Sequence, residues 1–305
     1  MARLGPSPAC GRPDSGGSVK ILVIGGSGFL GKHVVAHFQA KGDTVRTLSY
    51  RPVRHDVFLD DFQELLARGG LDAVIYAGAS QTGRDDAAAI YELSLSNIVL
   101  PASMASLLRE HAPECCLLTF GTSWQIGEQG GDEPFNAYAA SKTGAEAMLA
   151  HFAMNGVRSA TLRLYDTYGP GDDRNKVVNL IADAINGRSE LPMSSGGQAI
   201  DLVHIRDVLS AIDATLGLLR DEEPGRHRVF AVRSGQPVTI LEVLAELKRV
   251  AGMEDTSFIR PGVYPYRPRE RFSLFPDTPG PPGWHPRVSL ENGLRELLEE
   301  RRSRA

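Results

Sequence analysis

Two groups of residues have the types and spacing to do chemistry. In YAASK, Tyr138 and Lys142 stand four residues apart. On a helix that spacing puts both on one face. An ammonium near a phenol stabilises phenolate and lowers its pKa. Such a pair can pass a proton to or from an alcohol or carbonyl near neutral pH. In KILVIGGSGFLG, Gly25, Gly28 and Gly31 recur every third residue between an apolar run and a helical pattern. Gly25 permits a tight turn, Gly28 lets the backbone approach a pyrophosphate, and Gly31 lets the helix pack against the strand. The start of that helix, through Ser27, Phe29 and Leu30, offers N–H groups and partial positive charge to phosphates.

These residues need elements to hold them. The patterning predicts strands over 19–24, 44–49, 71–79, 115–120 and 159–165, with helices over 29–41, 61–67, 87–110 and 137–154. Strands alternating with helices imply parallel βαβ units and a sheet covered on both faces. Tyr138 and Lys142 follow the 115–120 strand by one unit. They therefore lie at the carboxyl edge of the sheet, where the glycine turn also lies. Beyond about residue 170 the rhythm is irregular. Helices are predicted at 176–186, 208–219, 239–251 and 290–300, and strands at 199–204 and 228–232, with a mostly loop segment over 260–287. Thr239 and Glu242 fit a capping box. The final RRSRA reads as a solvated tail.

The chain has 305 residues, 42% hydrophobic and 23% charged, which suffices for one large domain or a domain with a satellite. It contains no run of about 18 apolar residues, so no membrane-crossing helix is expected. Lys and Arg total 33 against 37 Asp and Glu, a net charge of −4, which argues against nucleic acid as partner. Cys10, Cys115 and Cys116 form neither a disulfide framework nor a metal-ligand spacing, which fits a reducing cytoplasm and no metal. Residues 1–18 are rich in Pro, Gly and Ser, lack the apolar core of a signal peptide, and read as a disordered leader.

The dinucleotide type is read at the end of the second strand, TVRTLSYRPVR. A free ribose 2′-hydroxyl usually meets an acid there. Here the position is Ser49, followed by Arg51 and Arg54. A carboxylate would repel a 2′-phosphate and a guanidinium can grip one, so NADP(H) is favoured over NAD.

GGSGFLG, LDAVIYAGA, FGTSWQIG, YAASK, LRLYDTYGPGD, DLVHIRDV and GWHPRVSLENGLREL occur in that order over residues 19–300. In this the chain resembles the extended short-chain dehydrogenases/reductases, the NAD-dependent epimerase/dehydratase family of nucleotide-sugar enzymes. The resemblance implies a Rossmann-like doubly wound parallel sheet with a smaller C-terminal substrate-binding domain. Residues 19–165 and 200–232 would bind NADP, and 166–199 and 233–305 the nucleotide sugar. Tyr138 would be the acid/base, and Lys142 would bind the nicotinamide ribose and lower the tyrosine pKa. The family's Ser or Thr on the reacting oxygen falls at Thr122, five residues before Gly127, with Ser123 the alternative if the loop slips by one. Ala77, Gly78 and Ala79 match the small residues that leave room for the cofactor.

Departures from the family pattern narrow the reaction. The sugar 4,6-dehydratases carry Asp–Glu where this chain has Ser123 and Trp124, and the enzymes that make GDP-fucose carry Cys where it has Trp124. The resemblance then runs closest to bacterial nucleotide-sugar 4-ketoreductases. It implies NADPH-dependent reduction of a 4-keto-6-deoxy sugar linked to dTDP or CDP. The alternative is a 4-epimerase that retains NAD(P). A non-catalytic dinucleotide sensor is a third reading, opposed by the presence of both Tyr138 and Lys142. Asp166 stands where the family commonly has an Asn that contacts the nucleotide sugar. Arg267 or Arg269 would meet the substrate diphosphate. His204 and Trp284 read as packing residues, Trp284 within the small domain. A homodimer would use the helices at 87–110 and 137–154.

Overall fold

The computed structural model describes residues 18–51, 54–274 and 278–304. Cys10 and most of the expected leader therefore lie outside the described residues. The chain opens with β1 (Lys20–Ile24), α1 (Phe29–Ala40), β2 (Thr44–Leu48), α2 (His55–Ala67) and β3 (Ala73–Tyr76). It continues through α3 (Ala87–Ser94), α4 (Leu100–His111), β4 (Cys116–Thr122), α5 (Ala137–Met154), β5 (Ser159–Leu164) and β6 (Asp166–Tyr168). Next come α6 (Val177–Gly187), β7 (Leu191–Pro192), β8 (Ala199–Ile200), β9 (Leu202–His204), α7 (Ile205–Asp221) and β10 (Arg228–Val232). The last are β11 (Val238–Thr239), α8 (Ile240–Ala251), β12 (Ile259–Arg260) and α9 (Leu290–Arg304).

Six strands form one sheet in the order β10-β5-β4-β3-β1-β2. Every pair in it is parallel. Strands covered on both faces read as continuous apolar runs, and Ile21, Leu22, Val23 and Ile24 are all fully buried. One face packs against α1 and α7 through Val34, Phe38, Val208, Ile212 and Leu216. The other packs against α2, α4 and α5 through Phe62, Leu66, Met104, Leu108 and Leu149. A third cluster joins α6, α8 and α9 through Ile181, Ile185, Val243, Leu247, Leu294 and Leu297. From β1 the chain goes through α1 to β2, then through α2 back across β1 to β3. That reversal opens a crevice at the carboxyl ends of β1 and β3.

The α/β parallel-sheet class is as expected, and the elements differ where local sequence was ambiguous. The helix expected over 61–67 starts at His55, because Phe58, Phe62 and Leu66 bury one stripe at helical spacing. The single helix expected over 87–110 is interrupted by a π-helical turn at Leu95–Val99. Pro101 follows it and has no N–H to donate four residues back, which the wider turn accommodates. The strand expected over 199–204 divides at Asp201, whose carboxylate is drawn off to accept from Ser234 N (2.6 Å) and Gly235 N (2.9 Å). The Thr239–Glu242 capping box is present.

Two expectations are corrected. Within RRSRA, α9 runs to Arg304 and the Arg301 side chain is only 10% exposed, paired with Asp183, so Arg301 is not solvated, whereas Arg302, Ser303 and Arg304 are exposed as expected. Trp284 does not pack within the α6–α8–α9 cluster. It lies against the sheet cluster and donates Nε1–H to Ser210 Oγ of α7 at 2.8 Å. The outer edge of β10 needs partners; Ala231 N donates to Pro279 O at 2.9 Å, and the proline-rich segment carries Trp284 onto that face. Among the described residues no helix is long and apolar enough to cross a membrane.

Candidate active site

The glycine turn closes on the neighbouring strand. Gly25 has φ +87°, and a Cβ there would lie 2.5 Å from Gly78 N. A Cβ on Gly31 would lie 2.1 Å from Gly25 O, so α1 could not sit this close to β1 with any side chain there. Gly28 differs: a Cβ would meet only Gly25 O, at 3.6 Å, and its outer side is open. Among the described residues, nothing caps α1 from a side chain and its first turn holds no acid. Free N–H groups, the helix dipole and an open backbone suit a diphosphate, so the crevice fits a dinucleotide. Ser27 and Gly28 are exposed, Leu30 is half-buried, and Ala77, Gly78 and Ala79 follow β3 on the far side. The Phe29 ring is buried against the core cluster at the start of α1.

Arg51 and Arg54 lie beyond β2, both exposed and joined by an Arg54 N to Arg51 O bond of 2.9 Å. Ser49 is also exposed.

Asn136 caps α5 by accepting from Ala139 N at 2.9 Å, which places Tyr138 in the first helical turn. Lys142 is buried, with Nζ 5.8 Å from the centroid of the Tyr138 ring. Burial pushes the Tyr138 phenol up to about 12, partly opposed by the charge of Arg174. Burial also pushes Lys142 down to about 8, against the pull of Glu146. The expected lowering of the phenol by Lys142 is thus not what the protein alone produces. The ammonium faces the ring and is itself weakened by burial, and the charge of Arg174 also bears on the phenol.

Thr122 ends β4, with its hydroxyl accepting from Trp124 N (3.3 Å) and its N–H donating to Gln125 Oε1 (2.8 Å). Ser123 is buried, and Trp124 packs on Phe135 with centroids 5.5 Å apart. Gln125 donates on to Glu146 Oε1 at 2.9 Å. Arg163 grips the same carboxylate through Nε (3.1 Å) and Nη2 (2.6 Å), and Nη2 also pairs with Asp132 at 2.7 Å. Buried charges cost several kcal/mol unless paired, so this network fixes the Thr122 turn against the Tyr–Lys helix. In the π-helical turn, buried Asn97 donates to Ser80 O (3.0 Å) and Ser141 Oγ (2.9 Å), tying the loop after β3 to α5. Sequence reasoning missed these residues. The signals present were Glu146 one turn beyond Lys142 and a charged Arg163 inside a buried strand.

Asp166 opens β6; burial pushes its carboxyl up, while the charge of Lys176 opposes this. Of the two arginines expected near substrate, Arg269 reaches the 123–135 loop, donating to Phe135 O at 3.0 Å. Arg267 is exposed at the head of that turn. Arg271, not considered from sequence, donates to Ser123 O at 3.1 Å. His204 is buried and pushed down to about 4 by burial, and it caps α7. Burial pushes both Cys115 and Cys116 up, which keeps the thiols protonated.

Residues 21–231 match the NAD dependent epimerase/dehydratase family, and the chain belongs to it. It is 22% identical over 295 residues to CDP-abequose synthase of Salmonella typhimurium, covering 92% of this chain and 97% of that one. It is 24% identical over 269 residues to UDP-glucose 4-epimerase of Corynebacterium glutamicum, covering 77% and 81%. Among solved structures, RMD from Pseudomonas aeruginosa complexed with NADPH superposes with a TM-score of 0.76 at 23% identity, covering 94% of this chain and 99% of that one. MoeE5 in complex with UDP-glucose and NAD gives 0.77 at 21%, covering 94% and 100%. At these identities the likeness establishes the fold.

The Lys142 ammonium is present below about 8 and is lost as the pH rises through that value. In an NMR titration, the Lys142 ε-carbon, assigned by its absence in Lys142→Met, should titrate near 8. Glu146→Gln should move the midpoint lower, because the carboxylate that supports the charge is gone. A midpoint at the ordinary lysine value, or an upward move in the variant, would contradict this account.

Proposed function

We propose that the protein is an NADPH-dependent reductase of the 4-keto group of a nucleotide-linked 4-keto-6-deoxyhexose, the nucleotide being dTDP or CDP. The observation that carries the reading is the loop after Thr122, where elimination would need an acid: Ser123 is buried and Trp124 is packed on Phe135, and neither carries one. Reduction needs a proton donor where negative charge grows on oxygen, and the Tyr138 phenol, pushed up by burial, is protonated at neutral pH.

In this reading the bound dinucleotide supplies the hydride. Tyr138 gives its hydroxyl proton to the sugar oxygen, Thr122 donates a hydrogen bond to the same oxygen, and Lys142 holds the nicotinamide ribose. Gly25, Ser27, Gly28, Phe29, Leu30 and Gly31 receive the diphosphate, and Ala77, Gly78 and Ala79 leave room for it. Arg51 and Arg54 take the 2′-phosphate. Residues 19–165 and 200–232 form the dinucleotide domain. Residues 166–199 and 233–305 form the substrate domain, with Ser123, Trp124, Asp166 and Arg269 toward the sugar nucleotide. Exposed Ile90, Tyr91, Val99 and Met148 on α3–α5 support a homodimer. The buried thiols suit the cytoplasm. Similarity to UDP-glucose 4-epimerase keeps one alternative, a 4-epimerase with retained cofactor, for which Tyr138, Lys142 and Thr122 would serve equally.

A panel of nucleoside-diphosphate 4-keto-6-deoxyhexoses with NADPH, followed at the reduced-nicotinamide absorbance, tests the reading. One member should be reduced with one NADPH consumed per product. Tyr138→Phe should lower turnover by about 10²–10⁴-fold with NADPH affinity retained. Oxidation of no NADPH by any member, or wild-type turnover in the phenylalanine variant, would sink it. Replacing both Arg51 and Arg54 by Ala should raise the KM for NADPH about tenfold or more while leaving that for NADH little changed. Equal effects on the two cofactors would exclude the 2′-phosphate role.

A further inference from the structure

The loop after Tyr168 and the basic end of α9 have no part in the proton transfer just described, yet they are joined. Arg301 donates Nη2–H to Asp172 O. Asp172 is buried, and its carboxylate receives Arg174 as a fork, Nε to Oδ1 at 2.6 Å and Nη2 to Oδ2 at 2.8 Å. Nη2 also donates to Thr167 O at 3.0 Å. Held this way, the Arg174 guanidinium lies 4.4 Å from the centroid of the Phe29 ring, the first residue of α1. The same charge is the one felt at Tyr138. A half-buried planar cation therefore stands over the first residue of α1 and within electrostatic reach of Tyr138, with Nη1 outside all of these hydrogen bonds. The carboxylate that fixes it lies on its buried side.

We infer that Arg174 grips a diphosphate laid across the start of α1, with Asp172 and Arg301 as its positioning residues. A guanidinium beside uncapped helix N–H groups is a stronger anion site than either alone. The inference rests on the functional reading above, because the dinucleotide and the nucleotide sugar both carry a diphosphate, and the test separates the two sources. It also gives the basic end of the chain a purpose, since α9 anchors the loop that aims Arg174.

Binding should be compared in the wild type, Arg174→Ala, Arg174→Lys and Arg301→Ala. The probes are NADPH, 2′,5′-ADP (which has no diphosphate), and the UDP, CDP, GDP and dTDP set with the matching monophosphates. Arg174→Ala should weaken NADPH or a nucleoside diphosphate by about ten- to a hundredfold and change 2′,5′-ADP and the monophosphates by less than about twofold. Loss confined to NADPH assigns the cofactor's diphosphate, and loss confined to a nucleoside diphosphate assigns the substrate's. Arg174→Lys should recover part of the loss, because it keeps the charge without the fork. Arg301→Ala should show the same pattern more weakly. If wild-type protein binds NADPH and Arg174→Ala binds every diphosphate equally well, or loses the monophosphates as much, this inference fails alone. If wild-type protein binds neither NADPH nor NADH, the functional reading fails and takes the inference with it.

Discussion

Where β1 and β3 end, the backbones of Gly25 and Gly78 approach so closely that one Cβ would collide with the facing nitrogen. The rest of the site depends on that contact. It sets the crevice where the strand order reverses and keeps the α1 N-terminus at its floor. It also puts the open side of Gly28 and the small residues after β3 along the same wall. The carboxyl end of β4, carrying Thr122, lies one strand further along the same sheet. Anion recognition and proton transfer therefore share one sheet edge because the sheet is parallel and doubly wound.

The second constraint is electrostatic. Glu146, Arg163 and Gln125 are all buried, and their charges and amide are satisfied by one another and by Asp132. Taking one partner from such a group leaves an uncompensated buried charge, at a cost of about 3–5 kcal/mol. The group spans the turn after β4, α5 and β5. It ties the turn that presents Thr122 to the helix that presents Tyr138 and Lys142. The same Glu146 opposes the loss of charge that burial imposes on Lys142. Structural pairing and chemical tuning here are one interaction.

Much of this was legible in the sequence, for physical reasons. The glycine spacing, the buried strands and the Tyr–Lys spacing are local patterns with one sensible geometry each, and α5 occupies the span its pattern implies. The missing parts depended on contacts between distant segments. Arg163 in TLRL reads as an oddity until Glu146 is brought beside it. Arg301 reads as a solvated charge until Asp172 and Asp183 arrive from another element. Trp284 followed the open edge of β10 rather than its own sequence neighbours. Arg271, rather than Arg267, reached the loop at Ser123 because the fold of the intervening turn, not spacing, decides which guanidinium faces inward. The phenol illustrates the same limit, since burial raises it where spacing alone suggests that Lys142 lowers it. Spacing shows that a lysine is near, but only the fold shows how far both groups are buried.

The central claim is a net reduction in which hydride is delivered to the carbonyl carbon and Tyr138 protonates its oxygen. The most direct test is the product made with stereospecifically 4-deuterated NADPH from an accepted 4-keto sugar. The account predicts deuterium at C4 from one of the two epimeric cofactors, with an equal amount of NADP⁺ formed. A converted sugar without deuterium at C4 and without NADP⁺ would contradict it.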